Sequence, residues 1–181
     1  MRRIIGVVLS VGLSAYGLQA QSTHQEIKTR MKPFSEMIGE WHEESTYENR
    51  EGKVSEEEGT ISIAWALDST YLRWEARITS KETGRQRQYS SWITYDTALG
   101  QYRQIYLYSG SANVITEYGQ WVEAGIIFTT TTVLNLPDGT TERLRNALLM
   151  QGRDKILYLS WASFDDAPEV NNYKSTLTRM K

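Results

Sequence analysis

Ile61-Ser62-Ile63-Ala64-Trp65-Ala66-Leu67-Asp68-Ser69-Thr70-Tyr71-Leu72-Arg73-Trp74-Glu75-Ala76-Arg77-Ile78 decides the fold. Before Asp68 the apolar residues Ile61, Ile63, Trp65 and Leu67 alternate with Thr60, Ser62 and Ala64. After Ser69, Leu72, Trp74, Ala76 and Ile78 alternate with Arg73, Glu75 and Arg77. Period-two alternation places one set on one face of a β-strand and the other set on the opposite face. Leu67-Asp68-Ser69 between them reads as a tight turn, so the stretch predicts two antiparallel neighbours with an apolar inner face.

The same rhythm extends outward to nearly the whole chain. Turn signals recur at Glu51-Gly52, Thr83-Gly84, Leu99-Gly100, Ser109-Gly110-Ser111, Ala124-Gly125, Pro137-Asp138-Gly139, Gln151-Gly152 and Asp166-Ala167-Pro168. Between them lie ten predicted strands, near 40–49, 54–66, 70–80, 87–95, 101–108, 113–123, 125–135, 140–150, 154–163 and 170–180. Such short connections make sequence neighbours spatial neighbours, and closing the meander removes its two exposed edges. The expected fold is therefore all-β: a single closed antiparallel up-and-down barrel of about ten strands with a short N-terminal helical segment.

That helical segment is predicted between Thr23 and Met37, with Ile27, Met31 and Phe34 spaced for one face and Pro33 interrupting it. It is expected to lead into the barrel without forming part of the core. Ahead of it, Arg2 and Arg3 precede the apolar run Ile4–Leu13, and Leu18-Gln19-Ala20 offers a small-residue exit, the pattern of a secretory signal peptide. The organisation expected is a signal peptide at 1–20, a helical lead-in at 21–39 and a barrel domain at 40–181. The apolar run is shorter than the roughly 20 residues that span a bilayer, and no later one is longer. The mature chain is expected to be soluble, and periplasmic or secreted.

Removing residues 1–20 lowers Lys plus Arg from 20 to 18 against 22 Asp plus Glu, moving the net charge from -2 to -4. A mildly acidic chain lacks the clustered positive charge that nucleic acid or an anionic membrane surface demands. No cysteine is present, which excludes disulfides, thiol nucleophiles and Cys-ligated metals. Gly-rich phosphate loops, nucleophile elbows and His-Glu-x-x-His pairs are also missing, so no catalytic residue, metal ligand or cofactor is assigned. The two histidines, His24 and His42, cannot build a multi-histidine centre, and His42 is expected to face outward beside inward Trp41.

Glu43 shares the parity of Trp41 and is expected to point into the barrel near its mouth, where a hydrolase would use it. Asp165 and Asp166 fall in a turn. Glu56-Glu57-Glu58 reads as a solvated strand start, because adjacent strand residues point to opposite faces and cannot jointly hold an ion.

Six Trp and eleven Tyr against three Phe favour a partly wet interior, since these rings bury area while their N–H and O–H groups seek partners. Trp65, Leu72, Trp74, Ile78, Trp92 and Asn146 are the expected lining of a cavity for a small apolar or amphipathic molecule, with Trp161 as a further wall. In the eighth strand Leu144, Leu148 and Met150 point inward beside Asn146. For the fifth strand the alternation of Tyr102, Gln104, Tyr106 and Tyr108 against Arg103, Ile105 and Leu107 leaves the wet face open. The alternatives to a binding barrel are a structural or protein-interaction barrel with a filled core, and a hydrolase-like enzyme. Oligomeric state is not encoded in these patterns.

Phe34-Ser35-Glu36-Met37-Ile38-Gly39-Glu40-Trp41 resembles the opening of calycin-type barrels, where Gly-x-Trp begins the first strand after a short helix. Together with Ser91-Trp92-Ile93-Thr94-Tyr95-Asp96 and the closing strand from Lys174 to Met180, it is similar to the exported bacterial domain-of-unknown-function family numbered 1579. The resemblance implies a lipocalin-like barrel and binding of a small hydrophobic molecule, while the family carries no assigned activity. It also implies a structural role for Arg179, or else Lys174, packed across Trp41. The related nitrobindin barrel binds haem through a histidine near its C-terminal end. This chain has no histidine after His42, so haem ligation is not implied.

Overall fold

The computed structural model describes residues 23–110, 114–123, 127–136, 138–165 and 167–181. The proposed signal peptide and the turn residues Ser111, Ala124, Gly125, Pro137 and Asp166 lie outside the described residues.

Ten strands follow one another in an antiparallel meander: β1 (Gly39–Glu48), β2 (Val54–Ala66), β3 (Tyr71–Ser80), β4 (Gln86–Asp96), β5 (Gln101–Tyr108), β6 (Val114–Glu123), β7 (Ile127–Asn135), β8 (Thr141–Met150), β9 (Lys155–Phe164) and β10 (Val170–Arg179). Each pairs with its sequence neighbours, and β1 pairs with β10, which closes the barrel. The predicted strands agree with these to within about two residues at each end, the usual uncertainty of strand boundaries. Alternation holds where it was cleanest: Leu72, Trp74, Ala76 and Ile78 are all buried, while Arg73, Glu75 and Arg77 are not.

Leu67 departs from its expected inward position. Leu67, Asp68 and Ser69 all adopt positive φ (49°, 54° and 61°), so the chain leaves β2 after Ala66 and Leu67 is 66% exposed. The tyrosine face of β5 is the inner one, since Tyr102, Gln104 and Tyr106 are buried.

The helical segment does more than lead in. Helical backbone over 23–31 runs into a 3-10 helix at Lys32–Met37, and Met31, Phe34 and Met37 are fully or almost fully buried. Phe34 sits among Tyr102, Trp121 and Phe128, with ring centroids 5.4, 5.1 and 5.4 Å away. Tyr102 donates its hydroxyl to the Arg30 carbonyl at 2.8 Å. The expectation of a peripheral segment is thus corrected: the helix fills one end of the barrel. Three apolar side chains are too few to mark a core helix by periodicity alone, yet barrel ends offer apolar surface that such a short stretch can cover.

Arg179 locks that end. Its guanidinium lies 4.2 Å from the Trp41 ring centre, and the two residues are register partners across the β1–β10 seam. It also donates to the carbonyls of Ile38 (2.7 Å), Glu36 (2.6 Å) and Arg153 (2.9 Å), satisfying the acceptors left at the end of the 3-10 helix. Gly39, at φ 143°, makes room: a Cβ there would stand 2.6 Å from Arg179 Nη1. Lys174, the second choice for this contact, is exposed on the outer face.

Candidate functional site

Away from the helix, the barrel interior holds a cavity of about 400 Å³. Tyrosine is the commonest residue of its walls: Tyr89 from β4, Tyr106 and Tyr108 from β5, Tyr158 from β9 and Tyr173 from β10, with Tyr47 toward the end opposite the helix. The rings form a continuous surface. Tyr106 and Tyr108 stack with centroids 6.1 Å apart, Tyr89 leans on Tyr108 at 6.0 Å, and Tyr158 meets Tyr173 edge-on at 5.9 Å. The Tyr106 and Tyr158 hydroxyls are 3.3 Å apart.

Two buried carboxyl groups stand in this wall. Glu43 on β1 is 1% exposed, and its Oε1 accepts hydrogen bonds from Tyr173 (2.6 Å) and Ser175 (2.7 Å). Its Oε2 has no protein partner. Glu117 on β6 is 2% exposed; Oε1 accepts from the Asn146 amide at 2.7 Å and Oε2 from the Thr130 hydroxyl at 2.6 Å. Burial raises the pKa of both above the usual carboxylate range, because removing water penalises the charged form, and the hydrogen bonds only partly oppose this. Burial likewise raises the Tyr89, Tyr106 and Tyr158 hydroxyls well above their ordinary value, and Tyr108 to about 12.

Arg87 enters the cavity from β4 and is neutralised by an ion pair with Glu57. Glu57 is the inward member of the acidic triplet. Glu56 and Glu58 lie on the outer side, each within 4.0 Å of Lys81, as the alternation of a strand requires. Among the described residues no group of three His, Asp or Glu side chains is arranged to hold a metal ion.

Of the six residues expected to line the cavity, the structure brings two to it, Trp74 and Asn146. Trp74 is 4% exposed and its indole N–H has no protein acceptor. Trp65 and Leu72 pair with each other at the helix-filled end and belong to the core there, and Ile78 is buried in the wall without reaching the cavity. Trp92 lies on the outer face, because its neighbours Ser91 and Ile93 are fully buried and strand alternation turns it the other way. Trp161 is likewise outside. Each outer indole lies under the arginine it pairs with across the sheet: Arg73 is 5.9 Å from the Trp92 ring and Arg145 is 3.9 Å from Trp161. An arginine cover lets a large ring sit on the wet side of a barrel. His42 is exposed, and His24 Nε2 sits 2.9 Å from Asp68, tying the helix to the β2–β3 turn.

The tyrosine walls, Arg87 and Glu117 escaped the sequence reading. Glu117 alternates with Thr116 and Tyr118 in a strand whose two faces are equally polar, so parity alone gave no direction. The available signal was Gln104 and the tyrosines of β5, which pair with β6 in the register Gln104–Glu117.

Comparison with solved structures supports the architecture. Rv2717c from M. tuberculosis superposes with a TM-score of 0.66 at 12% identity, covering 83% of this chain and 97% of that one. The S-type phycobiliprotein lyase CpeS from Guillardia theta superposes with a TM-score of 0.58 at 16% identity, covering 82% and 90%. At these identities the likeness is one of fold. No curated protein matches. The Gly39-x-Trp41 opening, the Trp41–Arg179 closure and the ten-stranded ring agree with a sequence match over residues 26–179, and the chain belongs to the family described as "Protein of unknown function (DUF1579)".

Proposed function

We propose that the chain is an exported binding protein that holds a small amphipathic molecule inside the barrel. The observation that carries this reading is the cavity itself. Its volume, about 400 Å³, falls within the roughly 300–1,000 Å³ of small-molecule sites, and its make-up of aromatic surface with a few convergent polar groups is theirs as well. Glu43 Oε2 and the Trp74 indole N–H are buried polar atoms without protein partners, which is costly unless something else bonds them. A barrel serving only as a structural or interaction module gains nothing from such a hollow, since filling it with side chains would stabilise the fold.

Protein recovered from its own cell envelope tests both halves of the proposal. Its N-terminus is expected close to Gln21, and native mass spectrometry is expected to show a co-purifying small molecule. A chain still beginning at Met1 in the cytosol would refute export. A uniformly empty barrel that also fails to take up any ligand in titration would refute binding.

The wall residue to probe is Trp74, which reports on filling through its own fluorescence. An environment-sensitive apolar dye is expected to bind saturably and to quench or shift the tryptophan emission. Trp74→Ala is expected to weaken that binding on the order of tenfold, the equivalent of an aromatic contact of about 1–1.5 kcal/mol. Trp92→Ala, on the outer face, is expected to leave it unchanged; equal losses from both variants would mean that the dye binds elsewhere.

A further inference from the structure

We propose that the molecule this cavity takes is an organic cation: an amine with an apolar body, its ammonium group held among the tyrosines between the walls that carry Glu43 and Glu117. The inference rests on the binding reading above and narrows it to a class of ligand.

The described lining contains four carboxyl side chains, Glu43, Glu57, Glu117 and Glu142, and one cationic side chain, Arg87. Arg87 is ion-paired with Glu57 through Nη2, which offsets its charge, while its buried Nε–H has no protein partner. A carboxylate or phosphate head would therefore meet carboxyl groups and a single cation that already has a carboxylate partner. For a cation the same groups are attractive, and in a site shielded from water that preference is larger than in bulk solvent.

In the ring order β1-β10-β9-β8-β7-β6 the strands bearing Glu43 and Glu117 are diametrically opposite, with both residues facing inward. Between them runs the tyrosine belt, from Tyr173, whose hydroxyl bonds Glu43, through Tyr158 to Tyr106. Electron-rich ring faces flanked by carboxyl groups are what an ammonium group prefers over water, by cation–π attraction combined with charge pairing. An alcohol would gain the apolar contact and a neutral hydrogen bond but no charge pairing, and a fatty-acid carboxylate the apolar contact alone.

An independent observation points to the missing donor. Glu43 is almost completely buried, its Oε1 accepts two hydrogen bonds, and its Oε2 accepts none. The Tyr173 and Ser175 hydroxyls are directed at Oε1, which leaves Oε2 open to a donor from the cavity's contents or to the carboxyl's own proton. Burial raises the pKa of this group and favours the proton while the cavity is empty. An ammonium N–H would replace it, satisfying the oxygen and pairing the charge in one contact.

The test compares three ligands of equal size and different charge, octylammonium, octanol and octanoate, by calorimetric titration of the full-length mature protein at neutral pH. Octylammonium is expected to bind at least tenfold more tightly than octanol, and octanoate more weakly than either. Glu43→Gln and Glu117→Gln keep side-chain volume and most hydrogen-bonding capacity; each is expected to bring octylammonium toward the affinity of octanol while octanol binding is unchanged. If octanol or octanoate matches octylammonium on the unmodified protein, the cation inference is overturned and the binding reading stands. It is equally overturned if the double Gln variant keeps the full preference for octylammonium. If none of the three binds, the binding reading itself fails.

Discussion

Trp41→Ala is expected to lower the free energy of unfolding by about 3–5 kcal/mol, the range for deleting a large buried ring. The ring is fully buried, its indole N–H donates to the Met37 carbonyl at 2.8 Å, and its face supports Arg179 at 4.2 Å. Truncation therefore leaves a void, an unpaired carbonyl and a guanidinium over empty space at the seam where the barrel closes. The ring contact by itself would make Arg179→Ala much the smaller loss, since a cation over an indole face contributes on the order of 0.5–2 kcal/mol depending on desolvation. The structure narrows that gap. Arg179 also bonds three backbone carbonyls, so about 2–3 kcal/mol is expected from its removal, bonds from charged donors being stronger than neutral ones. Urea denaturation followed by tryptophan fluorescence gives both values. Arg179→Ala proving costlier than Trp41→Ala would show that the carbonyl bonds, and not the ring, hold the seam.

Gly59→Ala should be worse than its one added carbon suggests, at least ~4 kcal/mol, which only a named steric fault explains. A Cβ on Gly59 would collide with the Arg77 carbonyl oxygen and stand 2.9 Å from Ile78 Cα, both backbone atoms of β3. Neither can move without breaking the pairing of Gly59 with Ile78, so the strands would have to part there. Gly84→Ala is the control. It sits in a turn at φ 68° with nothing within 4 Å of an added Cβ, and should lose only about 1–2 kcal/mol from backbone conformation. Comparable losses at both sites would mean that the close approach at Gly59 is relieved cheaply.

Which parts of this molecule were legible follows from what is local. Turn residues and period-two alternation are short-range signals, so the ten strands, their order and the inward set of β3 could be read directly. The Trp41–Arg179 contact was legible only through resemblance, since no local pattern links residues so far apart. The burial of Met31, Phe34 and Met37 depends on a barrel end that the helix itself does not encode. The cavity was misread for a different reason. A barrel that keeps space inside puts polar groups such as Gln104, Glu117 and Thr130 on its inner face, which undoes the rule that apolar residues mark the interior. Trp92 was assigned inward for its ring chemistry, and in the structure the burial of Ser91 and Ile93 turns it out.

The β1–β10 seam also governs how the chain reaches this state. Nine of the ten strand pairings join neighbours in sequence and form from hairpins, whereas the Tyr173–Glu43 hydrogen bond spans 130 residues. Closing so long a loop carries an entropic cost that no partial barrel recovers, so the seam is expected to be the slow step of folding. Until β10 docks, β1 offers an unpaired edge to any other chain, with its stretch around Trp41 uncovered. A polypeptide emerging N-terminus first cannot complete the ring before β10, Val170–Arg179, is free, so closure of the barrel waits for that strand.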